Sequence, residues 1–179
     1  MSFLLLLLLT VFGPDSILSH EISSGLRSPL SDALFKGLTE SAEGEVLTSA
    51  LLLYGALGGE ESWKDVRAVT SAALASAGLV YLLKYTTERK RPEGANPRSN
   101  SSFPSGHTTG AFLISSYFSS RYRKLTVPLY LWAAGVGLSR IYLRRHWPTD
   151  VLAGAIIGIT SGLIAYKYRD RLGAFQLYP

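Results

Sequence analysis

The chain has 179 residues, enough for one domain; 47% of them are hydrophobic and only 17% are charged, against about a quarter in ordinary soluble domains. It contains no cysteine, which excludes a disulfide framework, thiol chemistry and cysteine-based zinc sites. The net charge of +5 suits nucleic acid, an anionic membrane or a phosphorylated substrate as partner, and the charge alone does not choose among them.

The first apolar run is residues 1–13, MSFLLLLLLTVFG. It lacks a basic leading region and is short for a membrane span, so a cleaved signal, a short span and a membrane anchor all stay open. Ser28-Pro29 then begins a predicted helix. Its apolar residues share one face: Leu30, Leu34, Phe35 and Leu38. An amphipathic helix in a membrane interface and a packed surface helix both fit this pattern.

Five further runs carry almost no charge: Val46–Gly59, Ala68–Leu83, Thr108–Ser120, Leu125–Ser139 and Val151–Tyr166. Each alone is as short as many buried helices of soluble proteins. Together, rich in Gly, Ala and Ser, they favour a membrane helix bundle over a soluble all-α bundle. The last run repeats glycine every four residues, as closely packed membrane helices do: Gly154, Gly158 and Gly162.

We therefore expect an all-α fold, a polytopic membrane bundle of five to six spans with an interfacial amphipathic helix. Residues 1–45 would hold the N-terminal apolar segment and that helix, and residues 46–171 the core bundle.

Alternating spans would place Lys84–Ser105 and Arg140–Asp150 on one side of the membrane. The basic turn Arg121–Lys124 and the basic tail Lys167–Arg171 would lie on the other side. Short basic clusters at span ends are typical of the cytoplasmic side, although the first side is basic too. We expect the first side to face outward, because a bound anion would occupy several of its cations.

Three motifs fall on that outward side: KYTTERKRP at 84–92, PSGH at 104–107 and SRIYLRRHWPTD at 139–150. A phosphate in transfer carries charge on three equatorial oxygens and needs converging cations. Three basic residues of the motifs could supply them: Lys84, Arg91 and Arg140. Ser105 and Gly106 lie just before an apolar run, where a helix N-terminus offers N–H groups to an anion.

His146 lies four residues before Asp150. The carboxylate could orient one ring nitrogen and leave the other free to attack, while His107 protonates the leaving oxygen. Each element alone has an ordinary explanation, such as a helix cap or a structural hydrogen bond; their combination on one face favours a site. The remaining cations nearby are expected to be solvated: Arg89, Lys90, Arg144 and Arg145. His20 has no assigned role.

The three segments resemble the signature of the type 2 phosphatidic acid phosphatase superfamily, Lys-x6-Arg-Pro, Pro-Ser-Gly-His and Ser-Arg-x5-His-x3-Asp. Every named position matches across Lys84–Asp150, and the surrounding runs extend the likeness to about Val46–Tyr166.

The resemblance implies that the phosphate oxygens are held by three cations, Lys84, Arg91 and Arg140, with hydrogen bonds added by Ser105 and Gly106. It implies that His107 is the general acid, that His146 is the nucleophile forming a phosphohistidine, and that Asp150 orients His146. It implies neither a metal nor another cofactor.

The short chain and its apolar runs resemble the membrane lipid phosphatases of this superfamily more than its soluble acid phosphatases or vanadium haloperoxidases. We therefore expect a phosphoric ester hydrolase of the bacterial inner membrane, multi-pass, with its site facing the periplasm. Its expected partners are a lipid phosphate and the membrane, without nucleic acid. Lipid A at its 1-phosphate is the favoured substrate, with undecaprenyl pyrophosphate and phosphatidylglycerophosphate as alternatives. A vanadate-dependent haloperoxidase and a silent headgroup binder remain the other readings.

Overall fold

The structure, a computed structural model, describes residues 15–94 and 100–174, and its regular elements there are all helices. Helix α1 covers residues 15–25 of the described chain. The α-helices after it are α2 (Pro29–Glu40), α3 (Gly44–Thr87), α4 (Gly106–Arg121), α5 (Thr126–Tyr142), α6 (Pro148–Lys167) and α7 (Arg169–Gly173), and a short 3₁₀ helix, Arg123–Leu125, lies between α4 and α5. The expected all-α fold is confirmed. The apolar run at residues 1–13 lies outside the described residues.

Helix α3 contains two of the predicted apolar runs within 44 residues, and it bends at Gly59. This glycine has φ 69° and ψ −161°, a conformation that residues with a Cβ rarely adopt. The chain folds back at this glycine. As a result, Tyr54 before the bend donates a 2.6 Å hydrogen bond to Asp65 after it. Residues 44–58 therefore form a first arm and residues 60–87 a second arm, with a single residue between them.

The repeated glycines of α6 bring this helix against the backbone of α4. A Cβ added at Gly154 would lie 2.6 Å from the carbonyl oxygen of Ser105, and added Cβ atoms at Gly158 and Gly162 would collide with α4 backbone atoms. Side chains are thus excluded from this contact, which fixes the separation of the two helices. The Ser105 N–H also donates to the Asp150 carbonyl at 3.0 Å, so the N-termini of α4 and α6 meet.

Helix α2 packs along α5. Ser28 caps its N-terminus, as the sequence predicts. The ring of Phe35 lies 4.3 Å from the ring of Tyr142 in α5, whereas Leu30 and Leu34 are exposed. The helix therefore has one packed side and one outward apolar side.

A buried carboxylate ties the other end of the bundle together. Asp65 is fully buried, and within the described chain four side chains donate to it: Tyr54, Tyr117, Arg121 and Arg169. We call these five residues the Asp65 cluster. Asp65 lies near the start of the second arm of α3, and at 1.5 Å per residue it is about 28 Å along the helix from Lys84. The cluster therefore joins α3, α4 and α7 far from the N-termini of α4 and α6.

Candidate active site

The three sequence motifs meet where α4 and α6 begin. The indole N–H of Trp147 donates to the carbonyl of Lys90 at 2.8 Å, and Arg91 Nη1 donates to the carbonyl of Arg145 at 3.0 Å. The N–H of Ser102 donates to the carbonyl of Arg89 at 2.8 Å. The polar segments predicted to share one face are therefore hydrogen-bonded to each other.

The N-terminus of α4 forms an anion cradle. Ser105 is the N-cap and is fully buried. Its Oγ accepts from the N–H of Thr108 at 3.4 Å and from the Thr108 hydroxyl at 2.8 Å, which leaves the Ser105 hydroxyl hydrogen for a ligand. Gly106 and His107 are the first two residues of α4, so their N–H groups have no carbonyl within the helix to donate to. These N–H groups point out of the helix N-terminus. The cradle thus offers donors to a negatively charged oxygen.

Three cations surround this cradle, and each contacts neutral oxygen atoms: Lys84, Arg91 and Arg140. Lys84 Nζ donates to the Ser101 carbonyl at 2.5 Å. Arg91 donates to the Asn100 side chain at 2.6 Å, and Arg140 Nη1 donates to the hydroxyl of Thr39 in α2.

No carboxylate of the described residues forms an ion pair with any of these three, which we call the cation triad. Arg140 Nε is buried without a hydrogen-bond partner in the described chain. Burial lowers the pKa of Arg91, and the positive charge of Arg145 adds to this effect. The triad therefore holds excess positive charge that an anion would balance.

His146 is oriented by a backbone carbonyl. Its Nδ1 lies 2.7 Å from the carbonyl oxygen of Ser102 and 3.7 Å from Asp150 Oδ2. A carbonyl only accepts, so Nδ1 carries the hydrogen and Nε2 keeps its lone pair. The sequence predicts this orienting role for Asp150, but the closer contact belongs to Ser102.

His146 is 2% exposed, and this burial lowers the pKa of its ring to about 4. Nearby Asp150 opposes the shift, whereas the positive charges of Arg140 and Arg91 add to it. The ring is therefore neutral at physiological pH, as a nitrogen nucleophile must be.

Asp150 lies in the first turn of α6, and its contacts reach beyond His146. Its Oδ2 accepts from the backbone N–H of Trp147 at 2.8 Å, and its Oδ1 accepts from Arg89 Nη1 at 2.5 Å. The Arg89 side chain is only 18% exposed and also binds Asp15 at 2.6 Å. The expectation that Arg89 is solvated is wrong, because two carboxylates hold it.

The other cations expected to be solvated lie at the rim. Lys90, Arg144 and Arg145 are exposed, although Arg145 pairs with Glu93 at 2.8 Å and Arg144 donates to the carbonyl of Pro92 at 3.4 Å. The expectation holds in part for these three residues.

An open apolar cavity of about 590 Å³ reaches the cradle from the side. Its polar end is formed by Lys84, Gly106 and His107. The remainder lies between the two arms of α3 and the side of α4, lined mainly by apolar residues that include Leu47, Leu51, Val69, Ala73, Val80 and Leu113. A ligand with a charged head and an apolar tail matches this combination.

Residues from the N-terminal third complete the site, and the motifs do not reveal them. Thr39 holds Arg140, and Asp15 holds Arg89 and the N–H of Thr149. Polar residues outside a motif carry no sequence signal for such distant contacts. Within residues 15–94 and 100–174, no group of three or more His, Asp or Glu side chains is arranged to hold a metal ion.

The curated proteins that are similar to this chain include two bacterial phosphatases. Lipid A 1-phosphatase of Porphyromonas gingivalis is 37% identical over 124 residues, covering 65% of this chain and 27% of that protein. The chain thus spans about a quarter of the length of that relative. Undecaprenyl-diphosphatase BcrC of Bacillus subtilis is 31% identical over 153 residues, covering 80% of this chain and 78% of that protein.

Crystal structures of two bacterial proteins are among the solved structures that share the fold. LpxE of Aquifex aeolicus matches with a TM-score of 0.75 at 31% identity, over 86% of this chain and 95% of that one. A transmembrane PAP2-type phosphatidylglycerolphosphate phosphatase of Bacillus subtilis matches with a TM-score of 0.77, over 93% of this chain and 90% of that one. Its 24% identity supports the fold alone.

The model of the PAP2 superfamily matches residues 66–174, more than half of the chain. That region contains all three motifs, from Lys84 to Asp150. The protein therefore belongs to the PAP2 superfamily, the type 2 phosphatidic acid phosphatases that its motifs resemble.

Proposed function

We propose that this protein is a membrane lipid phosphatase that transfers a phosphoryl group from a lipid to His146 and then to water. One observation carries the proposal: the cation triad, bound to neutral oxygens, lies around a buried neutral histidine whose Nε2 has no hydrogen-bond partner among the described residues. A phosphate at the α4 cradle would balance the charge of the triad and meet this nitrogen.

The reaction would take two steps. His146 Nε2 attacks phosphorus, the bond from phosphorus to the lipid oxygen breaks, and His107 gives its proton to that oxygen. His107 then accepts a proton from a water molecule, whose oxygen attacks the phosphohistidine and releases inorganic phosphate. The triad and the cradle of Ser105 and Gly106 stabilise the charge on the transferring group in both steps. Asp150 supports the positive charge that develops on the ring of His146.

The outer surface supports placement in a membrane. Among the described residues, α3 and α6 are long and apolar enough to span, with mean hydropathies of 1.6 and 1.5 over 18 residues. Large leucines on three helices are 62–80% exposed: Leu57, Leu74, Leu131 and Leu152. Such a surface is unfavourable in water and favourable in lipid.

The spans would be the two arms of α3 together with α4, α5 and α6, which makes five within the described residues. Helix α4, with 16 residues, is about 24 Å long, so local thinning of the bilayer would accommodate it.

We infer that the site faces the periplasm of a bacterial inner membrane. The opposite end of the bundle carries basic residues at the ends of spans, which is typical of the cytoplasmic side: Arg123, Lys124, Lys167 and Arg171. The active-site end has many cations too, but Arg89 and Arg145 are paired with carboxylates. The triad would be occupied by the substrate.

Lipid A carrying a 1-phosphate is the substrate that we favour, because the relative named lipid A 1-phosphatase is 37% identical to this chain. Undecaprenyl pyrophosphate is the second candidate. It is supported by the relative named undecaprenyl-diphosphatase, which matches over most of both chains. For either lipid, the apolar cavity beside His107 would take hydrocarbon while the phosphate lies in the cradle.

Phosphate release from a lipid panel tests the proposal. The panel contains lipid A, undecaprenyl pyrophosphate, phosphatidylglycerophosphate and phosphatidic acid, presented to the full chain in detergent with chelator. We expect turnover of at least one lipid, loss of turnover in His146→Ala, and normal turnover in the matched control His20→Ala, since His20 is exposed on α1.

Folded protein that binds these lipids without turnover would contradict the phosphatase and support a silent headgroup binder. Halide oxidation that requires added vanadate would support the haloperoxidase alternative.

A further inference from the structure

Asp15 is a buried carboxylate in α1, outside the residues that match the family model. Its Oδ1 accepts from the backbone N–H of Thr149 at 3.0 Å. Its Oδ2 accepts from Arg89 Nη2 at 2.6 Å and from the hydroxyl of Thr149. One side chain thus binds both the first turn of α6 and the arginine that follows α3.

Arg89 reaches both groups beside His146. Through its side chain, it donates to Asp150 Oδ1 at 2.5 Å. Through its backbone, its N–H donates to Ser101 Oγ at 2.9 Å, and its carbonyl accepts from the N–H of Ser102 at 2.8 Å. The carbonyl of Ser102 is the group that lies 2.7 Å from His146 Nδ1. A shift of Arg89 would therefore move the two partners of the nucleophile together.

We propose that Asp15 is a positioning residue of the active site, which acts through Arg89 on Asp150 and Ser102 and thereby sets the rate of phosphoryl transfer to His146. This inference rests on the proposed phosphatase function. It assigns a role to α1, which the three motifs do not include.

Asp15 contributes a negative charge to the site as well as hydrogen bonds. Arg89 and Asp150 alone would form a neutral pair, whereas Asp15, Arg89 and Asp150 together carry one net negative charge. Attack by neutral His146 places a positive charge on its ring, next to the cation triad. The extra negative charge stabilises that ring in the transition state.

Asp15→Asn removes the charge and keeps an amide oxygen that accepts the N–H of Thr149, while its amide nitrogen is a donor and cannot accept from Arg89. We expect kcat to fall about 10-fold and KM to stay unchanged or decrease, since a more positive site binds phosphate at least as well. Asp15→Glu keeps the charge and should retain more activity than Asp15→Asn. Glu21→Gln removes an exposed carboxylate from the same helix and should match the wild type.

The measurement uses the full chain in detergent and the panel lipid that the wild type hydrolyses fastest, with each rate normalised to folded protein from thermal unfolding. If Asp15→Asn does not fold, Thr149→Val removes one hydroxyl contact of Asp15 and Arg89 without changing charge, and a smaller fall in kcat is expected.

Two results would overturn the inference: kcat of the folded variant within about twofold of the wild type, or an effect on KM alone. A wild-type protein that turns over none of the lipids would instead overturn the proposed function on which the inference rests.

Discussion

The two ends of the bundle both bury a carboxylate that is paired with arginine, but only the active-site end also has the cation triad, whose members contact neutral oxygens. In the Asp65 cluster, Arg121 and Arg169 donate to the carboxylate itself. The pKa of Arg169 is raised there, against the effect of its burial, because Asp65 and Glu61 stabilise its charge. At the active-site end, the cation triad contacts carbonyls and a hydroxyl.

This difference separates a structural cluster from a binding site. Buried charges that are paired hold helices together, and removing one partner leaves the other uncompensated. Buried cations held by neutral atoms keep their full charge for a ligand. We therefore expect mutations at the first end to affect stability and mutations at the second end to affect activity.

Replacing Arg140 by methionine should produce the largest effect on turnover. The change removes a cation from the phosphate oxygens, so kcat/KM should fall by about 10³-fold. The thermal unfolding midpoint should stay the same or rise, because an unpaired buried charge is replaced by an apolar chain. Arg123→Met, which removes an exposed cation at the other end, is the control. If the Arg140 variant is less stable than the wild type but its folded fraction has normal activity, Arg140 has a structural role. That result would contradict the binding role of the cation triad.

Asp65→Asn should show the opposite pattern. Arg121 and Arg169 would lose their counter-charge, at a cost of about 3 kcal/mol in the free energy of unfolding. Folded protein should keep wild-type kcat/KM, because the cluster lies about 28 Å from Lys84. Thermal unfolding and phosphate release, measured on the same preparations, test this, with the exposed Asp170→Asn as control. A loss of kcat in the folded fraction would show that the two ends are coupled.

Ala73→Trp narrows the apolar cavity below the cradle and leaves the triad in place. We expect about a 10-fold loss of kcat/KM for long-chain lipid phosphates and little change for a dioctanoyl lipid. Ala75→Trp, at an exposed position two residues later that does not line the cavity, is the matched control. Equal losses for long and short chains would contradict a role of the cavity in binding hydrocarbon.

The smallest predicted effect concerns protonation of His146. With its pKa lowered to about 4, the ring should stay neutral from pH 7 to pH 5, whereas an ordinary histidine titrates near 6.5. As the pH falls, the unfolded state binds a proton at this ring near pH 6.5, whereas the folded state binds it only near pH 4. The free energy of unfolding is therefore highest, as far as this ring is concerned, above about pH 6.5, and it decreases as the pH falls toward 4. NMR of protein labelled with ¹⁵N-histidine, assigned with His146→Ala, measures the ring directly. Titration near 6.5 would contradict the buried geometry.

Local patterns in the sequence predict much of the helical framework. Ser28 and Ser105 mark the starts of α2 and α4, and the glycine repeat predicts the close contact of α6 with another helix. The bend at Gly59 is different, since nothing local shows that one glycine replaces a loop between two apolar runs. A polar stretch such as residues 60–67 is ordinary in a connection, yet here it begins the second arm of α3.

The site is predictable where the motifs supply side chains and unpredictable where distant or backbone groups complete it. The carbonyl of Ser102 contacts His146, and any residue has such a carbonyl. Asp15 meets Thr149 across 134 positions, and Thr39 meets Arg140 across 101. Contacts of this kind depend on how α1 and α2 pack, which no periodicity in the chain records.

Trapping the covalent intermediate tests the central claim most directly. Wild-type protein is mixed with the ³²P-labelled lipid that it hydrolyses, quenched within milliseconds in alkaline detergent, and digested for peptide analysis. A phosphohistidine predicts label that is stable in base and lost in acid, located on the peptide containing His146 and absent in His146→Ala. Label on another residue, or continued turnover by the His146→Ala variant, would contradict His146 as the nucleophile.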